Sequence, residues 1–425
     1  MEIITAEQFK QKTDSNSSKT EAIDEKILEI INQVRKTGDQ ALFSYTEKFD
    51  GVALDTLIVS EKEFDDAKKL VNADVVQALQ KAKDNIEQFH RQQIEKSWFI
   101  EKEQGITLGQ KITPMEKAGV YIPGGKAAYP STVLMNVIPA KIAGVEKVAM
   151  TTPPQPGGKM NPYVLVAAQL AGVDTIYKLG GAQAIAALAY GTKTVEKVSK
   201  IVGPGNAYVA RTKKWVFGDV DIDMIAGPSE ICILADKRTN AKYAAADLLS
   251  QAEHDESASS ICVTTSRSVA DNILKEMNKQ AVTLDRREII EKSLSQNGKL
   301  IIAENRQEAY DVINDLAPEH LQLMTAYPSE HLSFIKNAGA IFLGEFSPEV
   351  LGDYYAGPNH TLPTSGTAAF SSPLGVYDFI KRSSIIHYSK ESLLAASRDI
   401  MQLARIEGLT AHEASIQVRK DDENA

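Results

Sequence analysis

At 425 residues the chain is long for one ordinary domain, and two to three domains is the expectation. Hydrophobic residues make up 43% and charged residues 24%, enough apolar side chain to exclude disorder over most of the length. Lys plus Arg number 47 against 56 Asp plus Glu, a net charge of −9 with no long basic run, which argues against nucleic acid or an anionic membrane as a partner.

The opening stretch, MEIITAEQFKQKTDSNSSKT, is polar and has no apolar core of a secretory signal. No run approaches the roughly 18 apolar residues of a membrane span, so a soluble cytoplasmic protein is expected. To about Phe99 the pattern is helical. Ile23, Ile27, Ile30, Ile31 and Val34 recur at three- and four-residue spacing. The pattern resumes from Asp39 to Phe49 after the break at Gly38. Two further helices span Ser60 to Trp98, broken near Asn72, Ala73 and Asp74. Their mixed charges read as solvated faces. The expectation is a helical segment over 1–117 packing on the second of two α/β arrays.

From Gly119 the texture changes. VYIPGG, VEKVAMTTPP, DTIYKLGG, KVSKIVGPGN and DIDMIAGP are short runs ending in Gly or Pro, and Ala/Leu-rich stretches follow most of them. This alternation predicts β-α-β units over 118–230, with loops at the carboxyl ends of parallel strands, where open α/β sheets place ligands. ICILAD, SSICVTT, KLIIAEN, LQLMTA and AIFLG predict a second array over 231–372, with helices such as NAKYAAADLLSQAEHD and SEHLSFIKNAG between strands. The fold class is therefore α/β, two tandem, incomplete Rossmann-like domains with mostly parallel sheets. Cys232 and Cys262 lie inside these runs and read as buried thiols of a reducing compartment. Residues Glu345 to Ser372 read as ordered loop. A small helical tail domain is expected over 373–425, with its helix from Leu393 to Val418 and a frayed end, KDDENA.

Seven histidines are present. His90, His331 and His387 read as surface or satisfied residues. The other four have polar company. Gln251 and His254 share a helical face in SQAEHD. Glu319 and His320 adjoin before an apolar strand. Asp353 and His360 fall in a Gly/Pro-rich loop. His412 follows Glu407 near the end of the chain. Imidazole and carboxylate groups at such irregular positions suit zinc or another first-row divalent ion, and the lack of a close cysteine pair argues against a thiolate zinc site. No GxGxxG occurs. GPGN from Gly203, YIPGG and LGGAQA are either ligand loops or tight turns.

The continuous stretch IDMIAGPSEICILADKRTNAKYAAADLLSQAEH, residues 222–254, resembles the signature of the histidinol dehydrogenase family. YIPGG, GGAQAIAAL, GPGNAYV, APEHLQL, FLGEFSPEVLGDYYAGPNHTLPT and GLTAH look like that family in the same order, so the resemblance covers nearly the whole chain. It implies an NAD-dependent oxidation of L-histidinol to L-histidine through bound L-histidinal, in a homodimer whose tail completes the partner subunit's site. It implies one zinc ion per subunit on Gln251, His254, Asp353 and His412, with His360 set aside as a ligand. It implies a catalytic pair, Glu319 and His320. Substrate contacts are implied at Ser229 and Glu407 besides Gln251, His254, His320, Asp353 and His412, and NAD contacts at Tyr121, Gln183 and Asn206. The N-terminal helices match no motif. Two rival classes remain at this point: a zinc hydrolase in which Glu319 activates water, and a non-catalytic α/β binding protein.

Overall fold

The computed structural model describes residues 1–11, 21–102, 105–124 and 128–422. Two compact units emerge, Met1–Gln93 with Met115–Phe379, and Ile94–Pro114 with Ile380–Ala425. In chain order, β1 (Glu2–Thr5) and α1 (Ala6–Gln11) precede four helices, α2 (Glu21–Thr37), α3 (Asp39–Asp50), α4 (Glu61–Leu70) and α5 (Ala73–His90). Strands β2 (Trp98–Lys102) and β3 (Ile106–Pro114) belong to the second unit.

The first α/β array of the large unit comprises β4 (Lys117–Tyr121), α6 (Pro130–Ala143), β5 (Lys147–Thr152), α7 (Pro162–Ala171), β6 (Thr175–Lys178), α8 (Gly181–Tyr190), β7 (Lys200–Val202), α9 (Ala207–Val216) and β8 (Asp221–Ile222). Its strands are all parallel, in the order β6-β5-β4-β7-β8. The second array comprises β9 (Glu230–Ala235), α10 (Ala241–Ala252), β10 (Ser259–Thr264), α11 (Arg267–Ala281), α12 (Arg287–Gln296), β11 (Lys299–Ile302), α13 (Arg306–Leu316), β12 (His320–Met324) and β13 (Ala340–Leu343). Its parallel order is β1-β11-β10-β9-β12-β13. Leaving β1 aside, both arrays place their own third, second, first, fourth and fifth strands side by side, the doubly wound order without its sixth strand. After β13 come α14 (Glu349–Tyr354) and a long connection to the second unit, which holds β14 (Ile380–His387), α15 (Lys390–Ile406) and α16 (Thr410–Asp421).

The N-terminal helices pack on the first array, not the second. Ile27, Ile30, Ile31, Val34 and Leu42 of α2 and α3 enter one core with Ile185, Ala186 and Leu188 of α8. Ala67, Ala82 and Ile86 of α4 and α5 enter another with Val133, Leu134 and Val164 of α6 and α7. Small alanines on α8 let the isoleucine stripe of α2 approach closely. Among the described residues of this segment only β1 and α1 join the second array, β1 pairing in parallel with β11. Capping sets the helix starts. Ser60 and Glu63 form a reciprocal capping box on α4, and Asn72 caps α5.

Neither flanking segment is purely helical. Trp98–Lys102, Ile106–Pro114 and Ile380–His387 form an antiparallel sheet in the order β14-β3-β2. Their aromatic and β-branched content favours strand, and the β3–β14 ladder satisfies their backbone groups. SEHLSFIKNAG contains a 3₁₀ turn, Pro328–Phe334, instead of an amphipathic helix. Asn314 fixes it by binding the Phe334 carbonyl and the Lys336 amide. His331 is buried in that turn, with Nδ1 2.7 Å from the Tyr310 hydroxyl. His90 is buried too, its Nδ1 2.9 Å from the Ile86 carbonyl. In the KDDENA end, Lys420 and Asp421 close α16, while Glu423 to Ala425 lie outside the described residues, as does Gly125 of YIPGG. Among the described residues no helix is long and apolar enough to cross a membrane.

Candidate active site

Helix α13 ends at Ala317, whose left-handed backbone (φ 43°) and the following Pro318 stop the helix and turn the chain into β12. Glu319 and His320 thus stand at the amino end of β12. Their backbone is pinned by Gly339 and Ala340 amides donating to the Pro318 and Glu319 carbonyls, each at 2.9 Å. Next to them, at the amino end of β9, is Glu230. Its amide donates to Glu319 Oε2 at 2.8 Å, and its carbonyl lies 2.9 Å from His320 Nδ1. A carbonyl only accepts, so Nδ1 carries a proton, and in its neutral form the ring presents an unprotonated Nε2. That Nε2 is buried, without a hydrogen-bond partner, and 3.8 Å from Asp353 Oδ1.

Asp353 was expected in a loop but sits in α14. There Glu349 precedes it by four residues and shares its face. One ligand atom each of His254, Glu349 and Asp353 lie within 4.8 Å of one another. His254 follows the end of α10, its amide bonded to the Gln251 carbonyl at 3.2 Å. Gln251 is fully buried, and both its side-chain heteroatoms lack a partner among the described residues. His360 binds the Asp353 carbonyl through Nδ1 at 2.9 Å, with its ring 3.9 Å from the Asp353 carboxylate.

The electrostatics are those of a site short of positive charge. Burial raises the Glu319 and Glu349 carboxyls above the usual range. It pushes Glu230 up to about 7. Burial opposes a charged His320, yet the carboxylates of Glu319, Glu349 and Asp353 outweigh it and push the imidazole's pKa up, favouring the protonated ring; a cation held beside these carboxylates would offset them and favour the neutral ring. Orphaned amide and imidazole atoms beside clustered carboxylates fit a divalent cation, which would satisfy the donors and offset the charge.

Ser229 precedes Glu230 directly, and its carbonyl accepts from the Ser259 amide at 2.9 Å. Glu407 and His412 lie in the second unit, at the end of α15 and in the first turn of α16, and both are exposed. Glu349 and Glu230 were missed by the sequence reading. Their signals were the four-residue spacing in PEVLGD and an acid heading the apolar run EICILA.

At the carboxyl edge of the first sheet, Tyr121 ends β4. Its buried hydroxyl accepts from the Gly181 amide at 3.1 Å, and burial pushes its pKa up to about 12. Gln183, one turn into α8, is buried with Oε1 unpartnered. Across β4, the GPGN loop follows β7. A Cβ on Gly203 (φ 113°) would meet the Tyr121 carbonyl oxygen at 2.1 Å, so only glycine fits. The Gly203 amide donates to Asp223 at 2.8 Å, and its carbonyl accepts from Lys213 at 3.0 Å. Lys213 and Asp223 pair with each other, and both side chains are fully buried. Asn206 then caps α9 by accepting from the Tyr208 and Val209 amides. This leaves an α-helix N-terminus at the crevice where the strand order reverses, a place suited to a dinucleotide's phosphates.

One linker joins the two places. Residues 223–229 run from the carboxyl end of β8 to the amino end of β9. Gly227 donates to Thr364 Oγ1 at 2.6 Å, and Ser365 donates to Glu230 Oε1 at 3.2 Å.

An α/β scaffold with a buried imidazole–carboxylate centre, and a glycine loop and helix N-terminus at the carboxyl edge of its first sheet, defines the class: an α/β enzyme. Comparison with known proteins gives the family. A family model described as histidinol dehydrogenase matches residues 13–420. The chain is 55% identical over 427 residues to a histidinol dehydrogenase of Oceanobacillus iheyensis, covering 100% of both chains. It is 53% identical over 413 residues to one of Listeria monocytogenes, covering 97% of this chain and 96% of the relative. The crystal structure of histidinol dehydrogenase from Elizabethkingia anophelis superposes with a TM-score of 0.93 at 37% identity, covering 100% of this chain and 98% of that one. The chain belongs to the histidinol dehydrogenase family and is an oxidoreductase acting on a CH–OH group.

Proposed function

We propose that the protein oxidises L-histidinol to L-histidine in two NAD⁺-dependent steps, through L-histidinal, as a zinc-requiring homodimer in histidine biosynthesis. The observation that carries this reading is the fixed tautomer of His320. With Nδ1 committed to the Glu230 carbonyl, Nε2 of the neutral ring, the form a cation beside the carboxylates would favour, takes the hydroxyl proton of an alcohol as hydride leaves its carbon. Glu319 is assigned to orient and deprotonate the water that adds to the aldehyde. His320 then takes the proton of the resulting hydrate in the second oxidation. Each step releases one hydride and one proton, so two NADH form per histidine.

Gln251, His254 and Asp353, with His412 of the partner subunit, are assigned as ligands of one zinc ion. Bound there, zinc would act as a Lewis acid that holds the imidazole and amine nitrogens of the substrate. Ser229, and Glu407 of the partner subunit, are assigned to the substrate, Glu407 through its ammonium or imidazole. Tyr121, Gln183 and Asn206 are assigned to NAD⁺, which supplies the hydride acceptor.

Protein mixed with L-histidinol and NAD⁺ should form two equivalents of NADH per histidine. Chelation should stop turnover, and zinc should restore it. One equivalent with accumulating aldehyde would remove the second oxidation from the assignment, and no NADH would remove the whole reading. Mixing inactive His320→Asn and His412→Asn chains should regain part of the wild-type activity, because a mixed dimer holds one intact site.

A further inference from the structure

Four helices of the N-terminal segment cover the first array, and the reaction leaves them without a task. One residue there is unlike its neighbours. Asp50, the last residue of α3, has a buried Oδ2 with no hydrogen-bond partner among the described residues. Its charge acts on the Tyr121 hydroxyl, and burial pushes its own carboxyl up to about 6.

The surroundings are polar and unfinished. Tyr121, Ala149 and Tyr177 point to the sheet face covered by α2, α3 and α8, and they share one core with Leu42 and Ala182. Thr151, two residues on from Ala149 in β5, takes the same face and pairs in register with Tyr121. Its buried Oγ1 is unpartnered, as is Oε1 of the buried Gln183. Three elements thus bring three orphaned oxygens, from Asp50, Thr151 and Gln183, to the carboxyl edge of one sheet. Orphaned buried acceptors are costly and call for donors from outside the chain.

Position along the sheet selects the donor. The strand order β6-β5-β4-β7-β8 puts Asn206 and the GPGN loop on the β7 side of β4, with Thr151 and Gln183 on the β5–β6 side. The linker to Glu319 and His320 leaves from β8, at the far end from β6. A dinucleotide whose nicotinamide faces that linker therefore lays its adenosine half toward Asp50. We propose that Asp50 is a specificity-determining residue of the cofactor site, its carboxylate accepting the 2′-hydroxyl of the adenosine ribose and excluding a 2′-phosphate. The inference rests on the dinucleotide reading above and gives the N-terminal helices a part in it.

The test is calorimetric titration of wild type and Asp50→Asn, without histidinol, against NAD⁺, NADP⁺ and an NAD⁺ analogue lacking the adenosine 2′-hydroxyl. Wild type should bind NAD⁺ about tenfold more tightly than either alternative. Asp50→Asn should lose about tenfold toward NAD⁺, bind the deoxy analogue as wild type does, and narrow its gap to NADP⁺, with melting temperature and zinc content unchanged. Equal affinities of wild type for NAD⁺ and the deoxy analogue would overturn the proposal even if the variant did not fold. So would an Asp50→Asn protein that kept both its NAD⁺ affinity and its preference. Wild type that bound none of the three nucleotides would overturn the dinucleotide reading itself, and this proposal with it.

Discussion

In the first array, the carboxyl end of the β4–β7 junction is bordered by the Gly203 loop, Tyr121 and the start of α9, with Gly203 packed on the Tyr121 backbone. In the second array the equivalent strands, β9 and β12, are stitched together at that end. Thr239 binds the Met324 carbonyl, and the Ala326 amide donates to Asp236 at 3.1 Å. The polar centre lies instead at their amino ends, with Glu230, Glu319 and His320. The same strand order thus supports a site at either edge. The decisive difference is which edge is left with unsatisfied groups. A crevice closed by its own hydrogen bonds offers a ligand nothing, whatever its place in the topology.

Substitutions at each edge should separate the two roles. The largest effect is expected for His320→Asn, which removes the base. Turnover should fall by roughly three orders of magnitude while NAD⁺ affinity stays at the wild-type value. A comparable loss of NAD⁺ affinity would mean the edges are not independent. Lys213→Met comes next, because it leaves Asp223 buried and unpaired beneath the GPGN loop. Denaturant unfolding should report a loss of roughly 3–5 kcal/mol, with NAD⁺ binding weakened more than histidinol binding. Glu319→Gln should slow oxidation of added L-histidinal about a hundredfold and the first oxidation by less; equal losses in single-turnover assays would count against a role in activating water. The smallest effect is expected for Asn206→Ala. Loss of the α9 cap should cost about 1 kcal/mol in thermal melts and weaken NAD⁺ a few-fold, leaving zinc content untouched.

The parallel sheets were legible because their strands are short apolar, β-branched runs, those of the first array closed by Gly or Pro, and ten such apolar runs fall where strands form. The packing of the N-terminal helices was not legible. An isoleucine stripe such as that of α2 states that a face is buried, not which array buries it. The strand at 380–387 escaped because it pairs with 106–114 across more than 260 residues of chain, a long-range contact that no local period reports, while 98–102 and 106–114 pair locally as a hairpin. At the centre, the recognisable strings carried Gln251, His254, Glu319, His320 and Asp353. The shift of the site to the amino edge was hidden, since the rule for open sheets points to the other end. Glu230 and Glu349 were readable only as acids in odd company. Their meaning depends on burial, which composition does not give.

The link from Asp223 to Ser229 has the character of a ruler. It starts in the ion pair that holds the GPGN loop of the first array and ends at Ser229, which adjoins Glu230 beside Glu319 and His320. Seven residues can span at most about 25 Å. Hydride transfer needs its two carbons nearly in van der Waals contact. On the proposed assignment of NAD⁺ and histidinol to these two places, adding or removing a single residue in this stretch changes the reach between oxidant and alcohol by more than that tolerance allows, so the spacing of the two sheets is written into the length of one short peptide.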